Sequence, residues 1–188
     1  MNSYVNIDLW LELLNSDWHD YRGSGRREDR IDDSTWLARY TAPWRGVLRG
    51  APPSEVRAAL KSLRMTIRGI VDHLAAGAVV PRLLLRELNS VMAASPVIWR
   101  IEKTLGGYEL SAAPLTAELR TMTAEIASSF AETLAQGEPS RIKVCENQAC
   151  LWVFYDKSKN RSRRWCEGNT GCGNLMKVRR FRARKRTL

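Results

Sequence analysis

Over the first 140 residues, apolar positions recur mostly at three- and four-residue steps. From Asn6 to Asn15, Ile7, Leu11 and Leu14 keep helical spacing with Trp10 beside them, which predicts a first helix. Polar residues dominate from His19 to Ser34, with Gly23 and Gly25 among them, and predict a loop. Ser34 is placed to cap a short helix carrying Trp36, Leu37 and Tyr40. The run Pro52-Pro53-Ser54-Glu55 marks the next helix start. Val56, Leu60, Leu63, Ile67, Ile70 and Val71 then form an amphipathic stripe to about Leu74, with Gly77 as its stop. Pro81 to Ala94 predicts another helix through Leu84, Leu85, Leu88, Val91 and Met92.

The period changes at Val97. Val97, Trp99 and Ile101 alternate with other residues, Gly106-Gly107 follows, and Tyr108 and Leu110 resume the alternation, predicting a β-hairpin with a Gly-Gly turn. A long helix is expected from Pro114 and Thr116 to near Gly137, and Pro139-Ser140 then punctuates the chain. The expected fold is mainly α. A helical domain with a small hairpin occupies residues 1–140, and a small four-cysteine module ending in an Arg-rich helix occupies 141–188.

Charge sharpens that division. Residues 141–188 carry 14 of the 30 lysines and arginines against Glu146, Asp156 and Glu167, a net of +11, whereas residues 1–140 sum to −1. Such asymmetry points to a polyanionic partner for the basic part; the plainer alternative is a solvated tail that aids solubility. No apolar run is long enough to span a membrane. The N-terminus lacks a basic start, a continuous apolar stretch and a cleavage site, so the cytoplasm is the expected compartment.

The N-terminal part offers little for catalysis, and no catalytic residue is expected. Its histidines, His19 and His73, are far apart, and a lone histidine is more often a structural hydrogen-bonding residue than a ligand. Asp17, Trp18 and His19, with Asp20, cluster at a helix–loop junction and form a candidate pocket for a small-molecule effector, although capping also explains the aspartates. Trp10, Trp18, Trp36 and Trp44 are expected in the core.

The four cysteines, Cys145, Cys150, Cys166 and Cys172, follow the spacing C-x4-C-x15-C-x5-C. Two pairs about fifteen residues apart suit a structural Zn²⁺ site, which four thiolates close completely. Trp152 to Tyr155 reads as a short strand able to pack on it, and Gly168, Gly171 and Gly173 suit tight loops. Disulfides, an iron–sulfur cluster and redox thiols are the alternatives. They are disfavoured by the expected compartment, by the spacing and by the lack of CxxC, respectively. So few residues need a staple, and zinc binding would supply their folding free energy.

After Cys172, a helix carrying Leu175, Val178 and Phe181 as a narrow anchoring stripe would hold Lys177, Arg179, Arg180, Arg182, Arg184, Lys185 and Arg186 on its other faces. Between the cysteine pairs lie Lys157, Lys159, Asn160, Arg161, Ser162, Arg163 and Arg164. Cations interleaved with hydroxyl and amide groups suit phosphate and sugar contacts, and the arginine bias favours nucleic acid over mere solubility. Double-stranded DNA is the expected partner; a basic helix lying on a membrane is the weaker alternative.

These residues resemble the CGNR zinc finger, a bacterial module. The matching elements are Cys145-x4-Cys150, Phe154-x-Asp156-x-Ser158-x-Asn160, Ser162-Arg163-Arg164-Trp165-Cys166 and Cys172-Gly173-Asn174-x-x-Lys177. Upstream, Leu13 to Asp20, Asp33 and Trp36-Leu37 are similar to the ABATE domain. The resemblance implies a stress-linked bacterial transcription regulator, with a DNA-binding zinc finger and an N-terminal domain that senses a ligand or mediates contacts. It departs from the family at Leu175, which stands where an arginine is expected, and in its x5 second pair, where x4 is expected.

Three rival functions are RNA binding through Phe154, Tyr155 and Trp165, a small-molecule enzyme using Asp17, His19 and Asp20, and a protein-only interaction module. A single finger leaves a small footprint, so homodimerisation through the helical domain is expected.

Overall fold

In the computed structural model, residues 7–116, 118–167 and 171–186 are described. The predicted start at Asn6, the loop glycine Gly168 and the Arg186 side chain lie outside that set. The described residues form six α-helices and three two-stranded antiparallel hairpins. With 51% helix and 16% strand, the mainly-α expectation holds only roughly.

Helix α1 spans Ile7–Leu14. The predicted loop after it is in part a hairpin, β1 (Asp17–His19) against β2 (Arg27–Asp29), followed by a 3-10 turn at Arg30–Asp32. Polar pairing explains why alternation did not reveal it. Arg27 grips both Asp17 oxygens at 2.6 and 2.9 Å, and Arg64 holds Asp29 at 2.7 Å through each amino nitrogen. Helix α2 (Ser34–Tyr40) begins one residue beyond its cap. Asp33, not Ser34, accepts from the Trp36 amide at 2.8 Å.

Helix α3 (Pro53–Ala75) buries the six residues of the predicted stripe. Helix α4 (Arg82–Ala93) buries only Leu88 fully. The second hairpin pairs β3 (Val97–Thr104) with β4 (Gly107–Pro114), and its turn is Leu105-Gly106 rather than Gly106-Gly107. Gly107, at φ 130, instead opens β4 in a conformation that side chains rarely adopt. Pro114 ends β4 and does not open a helix. Helix α5 (Leu119–Gln136) starts later, with Glu118 and Thr121 capping each other.

The third hairpin, β5 (Ile142–Val144) with β6 (Val153–Tyr155), belongs to the four-cysteine segment. Its Ile142 and Val153 nevertheless sit in the same core as Trp10, Leu63, Ile67 and Phe130. Trp10 meets Phe130 edge-on at 5.1 Å and donates to Thr133 Oγ1 at 3.1 Å. Trp18, expected in the core, is only half-buried, with Arg26 over its ring. The Asn15 amide, buried at the end of α1, pairs with the β6 backbone, donating to Val153 O at 2.9 Å and accepting from Val153 N at 2.8 Å. Helix α6 (Cys172–Arg186) closes the chain.

Candidate metal centre and nucleic-acid interface

The four cysteine sulfurs lie within 4.8 Å of one another, and Cys150 and Cys166 are 3.7 Å apart. A single zinc bonded to four thiolates at about 2.3 Å in tetrahedral geometry spaces its sulfurs by about 3.8 Å, so the set fits that ion. All four are unbridged thiols, and an iron–sulfur cluster needs more room between its ligands. The crowding also shows in their proton affinities. Hydrogen bonds from Cys150 and Cys166 hold the Cys145 thiol well below its usual range. The contact with Cys145 pushes Cys150 upward, and those with Cys145 and Cys150 push Cys166 upward. A divalent cation offsets the repulsion among thiolates brought this close.

Local structure brings the ligands together. Cys145 follows β5 directly, and its amide bonds to Trp152 O at 2.8 Å, closing a knuckle around residues 145–152. Asn147, 3% exposed, fills that knuckle. It accepts Cys150 N on its backbone carbonyl at 2.8 Å, and its side chain donates to Cys172 Sγ at 3.3 Å and to Tyr21 O at 2.7 Å. Leu151 leaves the knuckle at φ 55. Cys172 begins α6, with Gly171 packed so closely on Glu167 that an added Cβ would lie 2.6 Å from a carboxylate oxygen. The extra residue of the second pair falls in the 167–171 loop, of which 168–170 lie outside the described residues.

Asp156 organises the basic loop that follows β6. It is fully buried. Its Oδ1 accepts Ser158 N at 3.0 Å, and its Oδ2 accepts Arg163 N and Lys143 Nζ, each at 2.9 Å. Burial pushes its carboxyl up, but Lys143, Ser158 and Arg163 together more than offset this and hold it far below the usual carboxylate range. Lys143 also donates to the carbonyls of Arg161 and Arg163, so one buried ion pair pins the loop from both sides.

The candidate nucleic-acid residues divide into two groups. Arg161, at φ 50, pairs with Glu138, and Arg164 forks onto Glu146. Arg163 lies over Phe154 at 5.0 Å and donates to Cys166 O. Arg179 donates to Arg22 O at 3.0 Å, Arg180 covers Trp165 at 5.3 Å, and Lys185 covers Phe181 at 4.9 Å. By contrast, the exposed side chains of Lys157, Lys159, Lys177 and Arg182 have no ion-pair partner among the described residues. Asn160, Ser162 and Arg184 are exposed as well. The apolar stripe of α6 does not anchor it: Leu175 is half-buried, but Val178 and Phe181 are 37% and 60% exposed.

The three residues of the candidate pocket lie together in β1. Trp18 and His19 line a cavity of about 450 Å³ together with Tyr21, Cys150, Cys166 and Cys172. Asp17 stays beside His19, 3.3 Å from its Nε2, while also holding Arg27 across the β1–β2 pair; burial pushes its carboxyl up, and Arg27, His19 and Arg64 together more than offset this. Asp20 accepts from Arg22 N at 3.0 Å within the hairpin loop. A larger cleft of about 550 Å³ opens between α1–α2 and β6, where Trp36, Trp152 and Phe154 meet Arg30, Arg39 and Arg163. Sequence reasoning missed this cleft, as well as Asn147, Asn15 and the loop-organising role of Asp156. An asparagine inside a cysteine knuckle was the available signal for Asn147. No helix among the described residues is long and apolar enough to cross a membrane.

Fold and site together define a zinc-finger protein in which a four-cysteine metal centre is joined to a helical domain. Family models assign both parts. Residues 8–137 match the ABATE model, described as "Putative stress-induced transcription regulator", and residues 141–185 match the CGNR zinc finger. The chain therefore belongs to the ABATE family and carries a CGNR zinc finger with a structural zinc site. No curated protein matches it.

Proposed function

We propose that this chain is a transcription regulator that binds duplex DNA through its zinc finger. The observation that carries the reading is the set of exposed cations without an ion-pair partner among the described residues, Lys157, Lys159, Lys177 and Arg182, on a module whose loop and helix are both fastened to one metal centre. Zinc folds the module, and Asp156 and Lys143 fix the loop. Helix α6, held at its first turns, then offers cations with the exposed Val178 and Phe181 to a groove, where apolar side chains meet thymine methyl groups.

The aromatic residues favour DNA over RNA. Single-stranded RNA readers need open rings for base stacking. Here Phe154 is 6% exposed beneath Arg163. Arg164 and Arg180 both lie over the Trp165 ring, at 5.2 and 5.3 Å. The helical domain is the sensory part of this reading, and the cationic, aromatic cleft between α1–α2 and β6 is its seat for an anionic effector. No residue is assigned a catalytic step.

Fluorescence anisotropy with a labelled duplex across a salt series tests the proposal. Binding should require stoichiometric zinc and fall linearly with the logarithm of salt, and structured RNA should compete weakly. Lys177→Ala with Arg182→Ala should reduce the salt slope by roughly two, one per phosphate contact removed. A zinc-loaded protein without DNA affinity at low salt, or one that prefers the RNA, overturns it.

A further inference from the structure

The β3–β4 hairpin stands away from the core. Every residue of β3 is exposed, and the sheet has no third strand among the described residues. Its register places Val97, Trp99 and Ile101 opposite Pro114, Ala112 and Leu110, and Lys103 opposite Tyr108, all on one face. Trp99, Ile101, Tyr108 and Leu110 are 68%, 71%, 77% and 61% exposed. The other face carries Arg100 and Glu102 opposite Ser111 and Glu109. An isolated two-stranded hairpin is marginal in water, and a bare apolar edge invites another strand.

Hydrogen-bond phase shows what each edge offers. The two-residue turn makes Thr104 and Gly107 a hydrogen-bonded pair, so Glu102, Arg100 and Ile98 turn their backbone groups toward β4. Val97, Trp99, Ile101 and Lys103 therefore point theirs outward. A second copy joining antiparallel across a twofold axis must bring outward-pointing residues opposite one another. Centring the axis on Arg100 or on Glu102 sets each residue against its own like charge. Centring it on Ile101 sets Arg100 against the second copy's Glu102, twice, with Trp99 against Lys103 and Ile101 against itself. The free edge of β4 has no such match: centred on Leu110, it opposes Glu109 to Ser111, and Pro114 lacks an amide to donate.

We infer that β3 is the dimerisation edge of this chain, which a second copy extends into the four-stranded sheet β4-β3-β3-β4 in the register centred on Ile101. The pairing has a self-complementary charge pattern, as an isologous interface requires, and joins two apolar faces into one. It stands independently of the nucleic-acid reading.

The test is a charge swap, read by sedimentation velocity on the zinc-loaded full chain. The wild type should sediment at twice the 21.4 kDa chain mass. Arg100→Glu alone and Glu102→Arg alone should each raise the dimer dissociation constant at least about tenfold, since two attractive cross-strand pairs become repulsive. Combining both substitutions in one chain should restore the dimer, and so should mixing the two single variants. Both residues are exposed, and circular dichroism checks that the variants remain folded. A monomeric wild type overturns the inference and leaves the edge for a foreign strand. A dimer indifferent to either single change, or one not rescued by the swap, places the interface elsewhere.

Discussion

Replacing Asp156 probes the loop that carries half of the candidate contact residues. In Asp156→Ala the Lys143 ammonium loses the one carboxylate it meets among the described residues, and two backbone amides, Ser158 N and Arg163 N, lose their acceptor. Breaking a buried ion pair from one side costs about 3–5 kcal/mol. Asp156 is 0% exposed, but the Lys143 side chain is 23% exposed and keeps two carbonyl acceptors, which sets the expected loss near the lower end, at about 3 kcal/mol. Asp156→Asn keeps one acceptor and loses the charge, so about 1–2 kcal/mol is expected. The pH dependence has a definite sign. The folded carboxyl is held below its unfolded value, so its contribution is complete above that value, about 3.9, and is lost as pH falls through the folded value. Urea denaturation with zinc in excess measures both effects. Acid also protonates the zinc thiolates of either protein, so the readout is the gap between wild type and Asp156→Asn, which should stay constant above about pH 5 and narrow below about pH 4. A loss under about 1 kcal/mol in Asp156→Ala, or a gap that does not narrow in acid, refutes the reasoning.

Asn15→Ala leaves the amide and carbonyl of Val153 buried without partners and should cost about 2–4 kcal/mol in the same urea assay, against under about 1 kcal/mol if water replaces the side chain. Asn147→Ala removes the amide that donates to the Cys172 sulfur and should weaken zinc binding about tenfold in a chelator competition. Cys172→Ser removes the ligand that opens α6, so metal analysis should find less than one zinc per chain and circular dichroism a loss of helix. Chelation of zinc from the wild type should lower the melting temperature of the whole chain in one transition, because Ile142 and Val153 lie in the helical core; a separate low-temperature transition would contradict this.

What the sequence made legible follows from how much each signal repeats. The stripe of α3 repeats over about four helical turns, and all six of its predicted positions are buried. The cysteines carry their meaning in spacing alone, and their sulfurs do converge. The β1–β2 hairpin was illegible because each strand has three residues, too few for alternation, and is held by ion pairs with Arg27 and Arg64. Helix starts at Asp33 and Glu118 were misplaced where Ser34 and Pro114 offered the stronger local signal. Charge counting located the basic surface but could not show that Arg161 and Arg164 are paired with Glu138 and Glu146. Those partners lie 23 and 18 positions away, and only the fold brings them near.

The two matched families meet at a joint built from ordinary contacts. The Asn15 amide completes the hydrogen bonding of β6 from α1, and Arg68 on α3 donates to Leu151 O at the exit of the cysteine knuckle. Tyr21 and Arg22, on the β1–β2 loop, accept from Asn147 and Arg179, which lie on either side of the zinc ligand Cys172. The β1–β2 loop therefore contacts the knuckle and the first turns of α6 together. Zinc fixes β5 and β6, whose Ile142 and Val153 lie in the helical core, so metal binding stabilises that core as well as the finger. Coupling between two sites requires a shared element whose position each can bias. The β1–β2 hairpin touches both matched parts, through the Arg64–Asp29 pair at the end of β2 and the Tyr21–Asn147 bond in its loop.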